Sequence, residues 1–96
     1  MASPKSLLFH LHKHWEVVEI LARASRELPS FSEAQILAAV SKVSSASDLD
    51  ERAGVLRALS NADILQRLPR SSALQLNPLV LDFVRGLTRE HELGLS

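Results

Sequence analysis

The residues best placed to do chemistry are the histidines of His10-Leu11-His12-Lys13-His14. His10 and His14 stand four apart, so on a helix both imidazoles share one face and could reach one metal ion. Two ligands do not make a site, because zinc needs at least three protein ligands. No third His, Asp or Glu follows at a supporting spacing, and Glu16 falls on a different face. The histidines therefore read as half-exposed helix residues, and no metal is assigned. Asp48, Asp50 and Glu51 form a second cluster. They sit where the first turn of a helix favours acids, which accounts for them without catalysis. The chain has no cysteine, which removes disulfides, thiolate metal sites and Cys nucleophiles. It also lacks a Gly-rich phosphate loop and a Gly-flanked Ser. No catalytic residue and no cofactor is assigned, and the chain reads as non-enzymatic.

Those residues must be held by a small scaffold. Ninety-six residues make a single domain over 1–96, and an apolar fraction of 46% suffices for one modest core. With aromatics at 4%, that core must rest on Leu, Ile, Val and Ala. No apolar run approaches the roughly 20 residues that span a bilayer. The opening MASPKSLLFHLHKHW is too short and too interrupted in its apolar part for a secretory signal. The absence of cysteine fits the cytoplasm. Eleven basic residues balance eleven acidic ones, so the basic excess usual for a protein that lives on DNA phosphates is missing.

The first helical stretch runs from about Pro4 to Leu28, with Ser3 as its cap and Pro4 in its first turn. It bends, or becomes two helices, around His10 to His14. Pro29 ends it. Ser32 with Gln35 reads as a capping box, with Phe31 placed to staple onto Ile36; Ser30 with Glu33 offers the same box two residues earlier. Ile36, Leu37, Val40 and Val43 then form a buried stripe. A third helix runs from Asp48 to Asp63, capped by Ser47 or Asp48, with Leu49, Ala53, Leu56 and Leu59 on one face. Gly54 either weakens it slightly or admits a close neighbour. Ile64 to Leu68 and Ala73 to Asn77 alternate as strands around the turn Pro69-Arg70-Ser71-Ser72. Asn77 caps a last helix that has Pro78 at its first position, and Leu79, Val80, Phe83, Val84 and Leu87 give it a broad apolar face. The expected fold is mostly α: a winged helix-turn-helix of three helices, a two-stranded wing and a C-terminal helix.

The stretch Leu65 to Ser96, LQRLPRSSALQLNPLVLDFVRGLTREHELGLS, resembles the end of the N-terminal winged-helix domain of bacterial condensin kleisins, the MukF-like and MksF-like subunits. The residues that carry the likeness are Leu76-Asn77-Pro78 closing the second wing strand, the helix from Leu79 to Leu87, Arg89-Glu90, and Leu93 to Ser96. It covers about the last third of the chain. Upstream only the order of helices is similar, with a shorter connection after the first. The resemblance implies that the chain is the front of a longer kleisin. Such a domain pairs with its counterpart in a second kleisin, giving a homodimer. Later parts of a kleisin bind an SMC-type ATPase and a small winged-helix accessory subunit. The setting implied is cytoplasmic and nucleoid-associated, in chromosome organisation or in plasmid defence of the Wadjet type.

Independently of the resemblance, the apolar N-terminal segment Leu7-Leu8-Phe9-Leu11 and the wide apolar face of the last helix point to a protein interface. A domain of this size is expected to fill its core without Leu7, Leu8 and Leu11. Those three, with Leu87 on the last helix, are the candidate dimer interface. The alternative function is that of a DNA-binding transcriptional regulator, in which the third helix reads the major groove and the wing touches the backbone. Arg67 and Arg70 on the wing are the candidate phosphate contacts. The acids at the start of the third helix oppose that reading, so DNA binding is expected to be weak or indirect.

Overall fold

The computed structural model describes residues 3–43 and 49–92. Within them the chain is mostly helical, with five helices and one two-stranded antiparallel sheet: α1 (Pro4–Lys13), α2 (Trp15–Ala24), α3 (Glu33–Val43), α4 (Leu49–Asn61), β1 (Leu65–Arg67), β2 (Leu74–Leu76) and α5 (Pro78–Glu92). No described helix is long and apolar enough to cross a membrane. Four helices precede the hairpin where three were expected, because the first helical stretch breaks at His14. There φ is −114° and ψ is 32°, so His14 closes α1 and opens α2. Backbone hydrogen bonding still runs through the break. The His14 N–H donates to the His10 carbonyl, and the Val18 N–H donates to the His14 carbonyl.

The starts of α1, α3 and α5 each have a local cause. The Ser3 hydroxyl accepts from the Ser6 N–H at 3.2 Å, with Pro4 filling the first position of α1. At α3 the reciprocal capping box is complete: the Gln35 N–H donates to Ser32 Oγ at 3.2 Å, and the Ser32 N–H donates to Gln35 Oε1 at 2.8 Å. This settles the start in favour of Ser32 over Ser30. At α5, Asn77 Oδ1 accepts from the Leu79 N–H at 3.0 Å. Its Nδ2 donates to the Asp63 carbonyl at 3.0 Å, and its backbone N–H donates to the Ile64 carbonyl at 2.9 Å. One side chain thus ties the start of α5 to the segment entering β1. Ser47 and Asp48, the expected caps of α4, lie outside the described residues. Asp63 itself takes a left-handed φ of 63° just past α4, a conformation Asp tolerates better than most residues.

The hairpin pairs Leu65 with Leu76, Gln66 with Gln75 and Arg67 with Leu74. Arg70 at its tip has φ of 59°, and Ser71 Oγ accepts from the Ala73 N–H at 3.0 Å to close the turn. Leu74 is also bridged on its other side. The Phe31 N–H donates to the Leu74 carbonyl at 2.7 Å, and the Leu74 N–H donates to the Phe31 carbonyl at 2.8 Å. The loop after α2 thereby becomes a one-residue third strand.

The core sits under this hairpin. Val18 and Leu21 of α2, Ile36 and Val40 of α3, Leu59 of α4 and Ile64 are buried together with Leu74, Leu76, Val80 and Val84. The aromatic-poor composition is met by branched aliphatics, and Phe31 is the one aromatic among the buried core residues described. In α4, Leu59 is buried while Ala53 and Leu56 are partly covered. Gly54 is exposed, and a Cβ built on it would meet nothing within 4 Å. Of its two sequence readings only the helix-weakening one holds.

Candidate interaction site

Three of the four residues expected at an interface come from α1, and the structure separates them. Leu8 is 56% exposed. Leu7 is partly covered and packs against the core. Leu11 is 3% exposed and belongs to the core itself. This corrects the expectation that the core closes without the α1 leucines: α1 packs on α2 and α4, and Leu11 is the side chain it inserts. Leu87 on α5 is 43% exposed and free to meet a partner.

The apolar face of α5 splits in the same manner. Val80 and Val84 turn inward, while Leu79 is 77% and Phe83 48% exposed. Between α1 and α5 lies an open groove of about 400 Å³. Leu7, Leu8 and Leu11 line one wall, Leu79, Val80 and Phe83 the other, and Ser3 and Pro4 close one end. Leu79 and Phe83 belong to the wide α5 face that the sequence offers as an interface, and their i, i+4 spacing marks one side of it. What the spacing does not tell is that this face points away from the core.

The remaining chemically suggestive residues do not converge. The rings of His10 and His14 are parallel to within 4° and stacked, with centroids 6.4 Å apart. No group of three His, Asp or Glu side chains gathers for a metal among the described residues. His14 is partly buried, and its pKa lies below the usual 6.5 because burial disfavours its charge, helped by the charges of Lys13 and His10. Asp50 and Glu51 occupy the first turn of α4, and Asp48 lies outside the described residues.

The hairpin arginines differ from each other. Arg67 Nη2 lies 3.4 Å from Glu33 Oε1, both side chains being more than half exposed. Such a pair contributes little stability, but it occupies the guanidinium. Arg70 projects from the exposed turn. A larger basic grouping lies elsewhere and was not read from the sequence. Arg23 of α2, Arg26 in the turn just after it, and Arg85 and Arg89 of α5 line a second groove of about 300 Å³. The signal was present as an i, i+3 pair and an i, i+4 pair, but nothing local in the sequence says that α2 and α5 are neighbours. The chain matches no protein-family model, no curated protein and no solved structure.

Proposed function

We propose that this chain is a non-enzymatic winged-helix module that pairs with a second copy of itself, of the kind found at the front of bacterial condensin kleisins. The observation that carries this reading is the α1/α5 groove, where Leu8, Leu79 and Phe83 are each about half exposed or more. A contiguous apolar patch rimmed by polar residues on a small domain marks an interaction surface. The winged-helix assignment draws support from the order α2, α3, α4, hairpin, with Phe31 bridged to Leu74 as the short third strand. Leu76-Asn77-Pro78 and the helix after it carry the likeness to MukF-like and MksF-like kleisins.

In this role the domain supplies geometry. Two copies joined through α1 and α5 hold two SMC-type motor complexes together, while later parts of the kleisin engage the ATPase and its small accessory subunit. ATP is bound by the partner, and the complex acts on chromosomal or plasmid DNA in the cytoplasm. A regulator that reads DNA with α4 is less well supported, since Asp50 and Glu51 would face phosphates at the helix start and Arg67 is paired with Glu33.

Solution mass and duplex affinity, measured together, test the proposal. The expected result is a dimer at tens of micromolar with no specific site. A monomer that binds one DNA sequence at about 10⁻⁸ M at physiological salt overturns it in favour of the regulator.

A further inference from the structure

We propose that the groove between α2 and α5 binds the phosphate backbone of duplex nucleic acid, independently of base sequence. Four exposed arginines line it, Arg23 from the end of α2, Arg26 from the turn after it, and Arg85 and Arg89 from α5, against a single acid among the described lining residues, Glu19. Four of the eleven basic residues of a chain with no net charge therefore meet in one place. None of the four forms an ion pair among the described residues, where the pair seen is Arg67 with Glu33. The helix dipole explains an arginine in the last turn of α2. It does not explain Arg85, which stands in the middle of α5.

The floor of the groove selects the ligand. Ala22 and Val84 beneath the arginines are 4% and 2% exposed, so they are already covered by the fold. A protein partner gains much of its affinity from burying apolar surface at the centre of the contact, and the floor offers almost none. The four guanidinium groups around it supply the charge by which proteins hold a phosphate backbone. Guanidinium groups suit phosphate oxygens because they can donate two parallel hydrogen bonds. No aromatic side chain lines the groove among the described residues, so no stacking platform for single strands is seen there. The groove also lies across the Val80/Val84 stripe from Phe83 and Leu79, so it stays open when the α1/α5 face is covered, and the proposal does not depend on the pairing.

Anisotropy of a labelled duplex of about 20 base pairs, titrated with the chain between about 50 and 200 mM salt, tests this. With four phosphates neutralised per chain, log affinity should fall against log salt with a slope of about −3.6, at micromolar or weaker affinity. Arg85→Gln with Arg89→Gln should lower that slope by about 1.8 per chain, and Arg23→Gln with Arg26→Gln should do the same from the other wall. Melting curves should be unmoved, since all four side chains are exposed. Arg67→Gln with Arg70→Gln should leave the slope as it was. The proposal fails if the hairpin pair takes the slope instead, or if the duplex does not bind at the low-salt end. It also fails if polyglutamate of equal charge displaces the duplex as well as unlabelled duplex does, which would assign the groove to an acidic protein. Tighter binding of a single strand than of the duplex overturns it as well.

Discussion

Replacing Phe83 with Asp should break the pairing of two copies and leave each copy folded. Phe83 is 48% exposed in the isolated chain. An aromatic side chain presents roughly 200 Å², so about 100 Å² remains to be covered by a partner. At about 25 cal/mol per Å² that is about 2.5 kcal/mol from each copy. A two-fold interface uses the residue twice, giving about 5 kcal/mol, or between three and four powers of ten in the dissociation constant. That figure holds for complete burial of the ring, and the carboxylate adds a desolvation cost of its own. The fold should tolerate the change, because Val80 and Val84 carry the packing of α5. Phe83→Ala should accordingly cost well below the roughly 3–5 kcal/mol of a fully buried phenylalanine. Sedimentation equilibrium from about 1 to 100 µM, paired with thermal melts, separates the two effects. A Phe83→Asp chain that sediments as the same dimer as the parent removes the α1/α5 face from consideration. A variant that unfolds outright shows that the exposure of Phe83 has been misjudged.

Leu87→Asp should likewise weaken the dimer with little loss of stability, since Leu87 is 43% exposed; equal mass with a lowered melting temperature would contradict this. Leu11→Ala should act in the opposite sense, costing about 2–5 kcal/mol in urea denaturation as a core truncation, because Leu11 is 3% exposed. Asn77→Ala should cost about 1–3 kcal/mol, the cap of α5 together with the partner of the Asp63 carbonyl. Asn77→Asp should recover part of that loss, since it keeps the acceptor and loses the donor. The pKa of His14 is held below 6.5 in the folded chain, chiefly by burial. As pH falls through 6.5 the unfolded chain therefore takes up its proton first. Stability is full above that point and declines to a lower plateau below the folded pKa. His14→Gln should flatten this step in denaturation curves at about pH 7.5 and about pH 5.

Local signals carried most of the fold. The capping box at Ser32 and Gln35 and the Asn77-Pro78 start of α5 are decided within four residues, and each appears with its hydrogen bonds in place. The hairpin was legible because alternation and turn residues are local as well; its strands came out shorter, at three residues each. The break in the first helical stretch was visible in the run of histidines, though not whether it bends or divides. The bridge between Phe31 and Leu74 had no signal. It joins residues 43 positions apart through backbone atoms, and backbone pairing of one residue leaves no periodic trace.

The surfaces were harder to read than the elements, and α5 shows why. Spacing alone assigns Leu79, Val80, Phe83, Val84 and Leu87 to one broad apolar face, and a face of that width can only be divided by knowing what stands opposite each part of it. α2 covers Val84, while the α1 side leaves Leu79 and Phe83 open at the groove. The same contact between α2 and α5 brings Arg23 and Arg26 within one groove with Arg85 and Arg89, although about sixty residues separate the two pairs. A net charge of zero is a sum, and it conceals this grouping because the acids that balance the arginines lie mostly elsewhere, Asp50 and Glu51 at the start of α4 among them. One packing arrangement thus creates both surfaces. The inward stripe of Val80 and Val84 divides α5 into an exposed apolar side, the face proposed for pairing, and a basic side. A substitution on either side should leave the other working, whereas a truncation in the stripe, Val84→Ala for instance, should weaken both together by loosening α5 from α2.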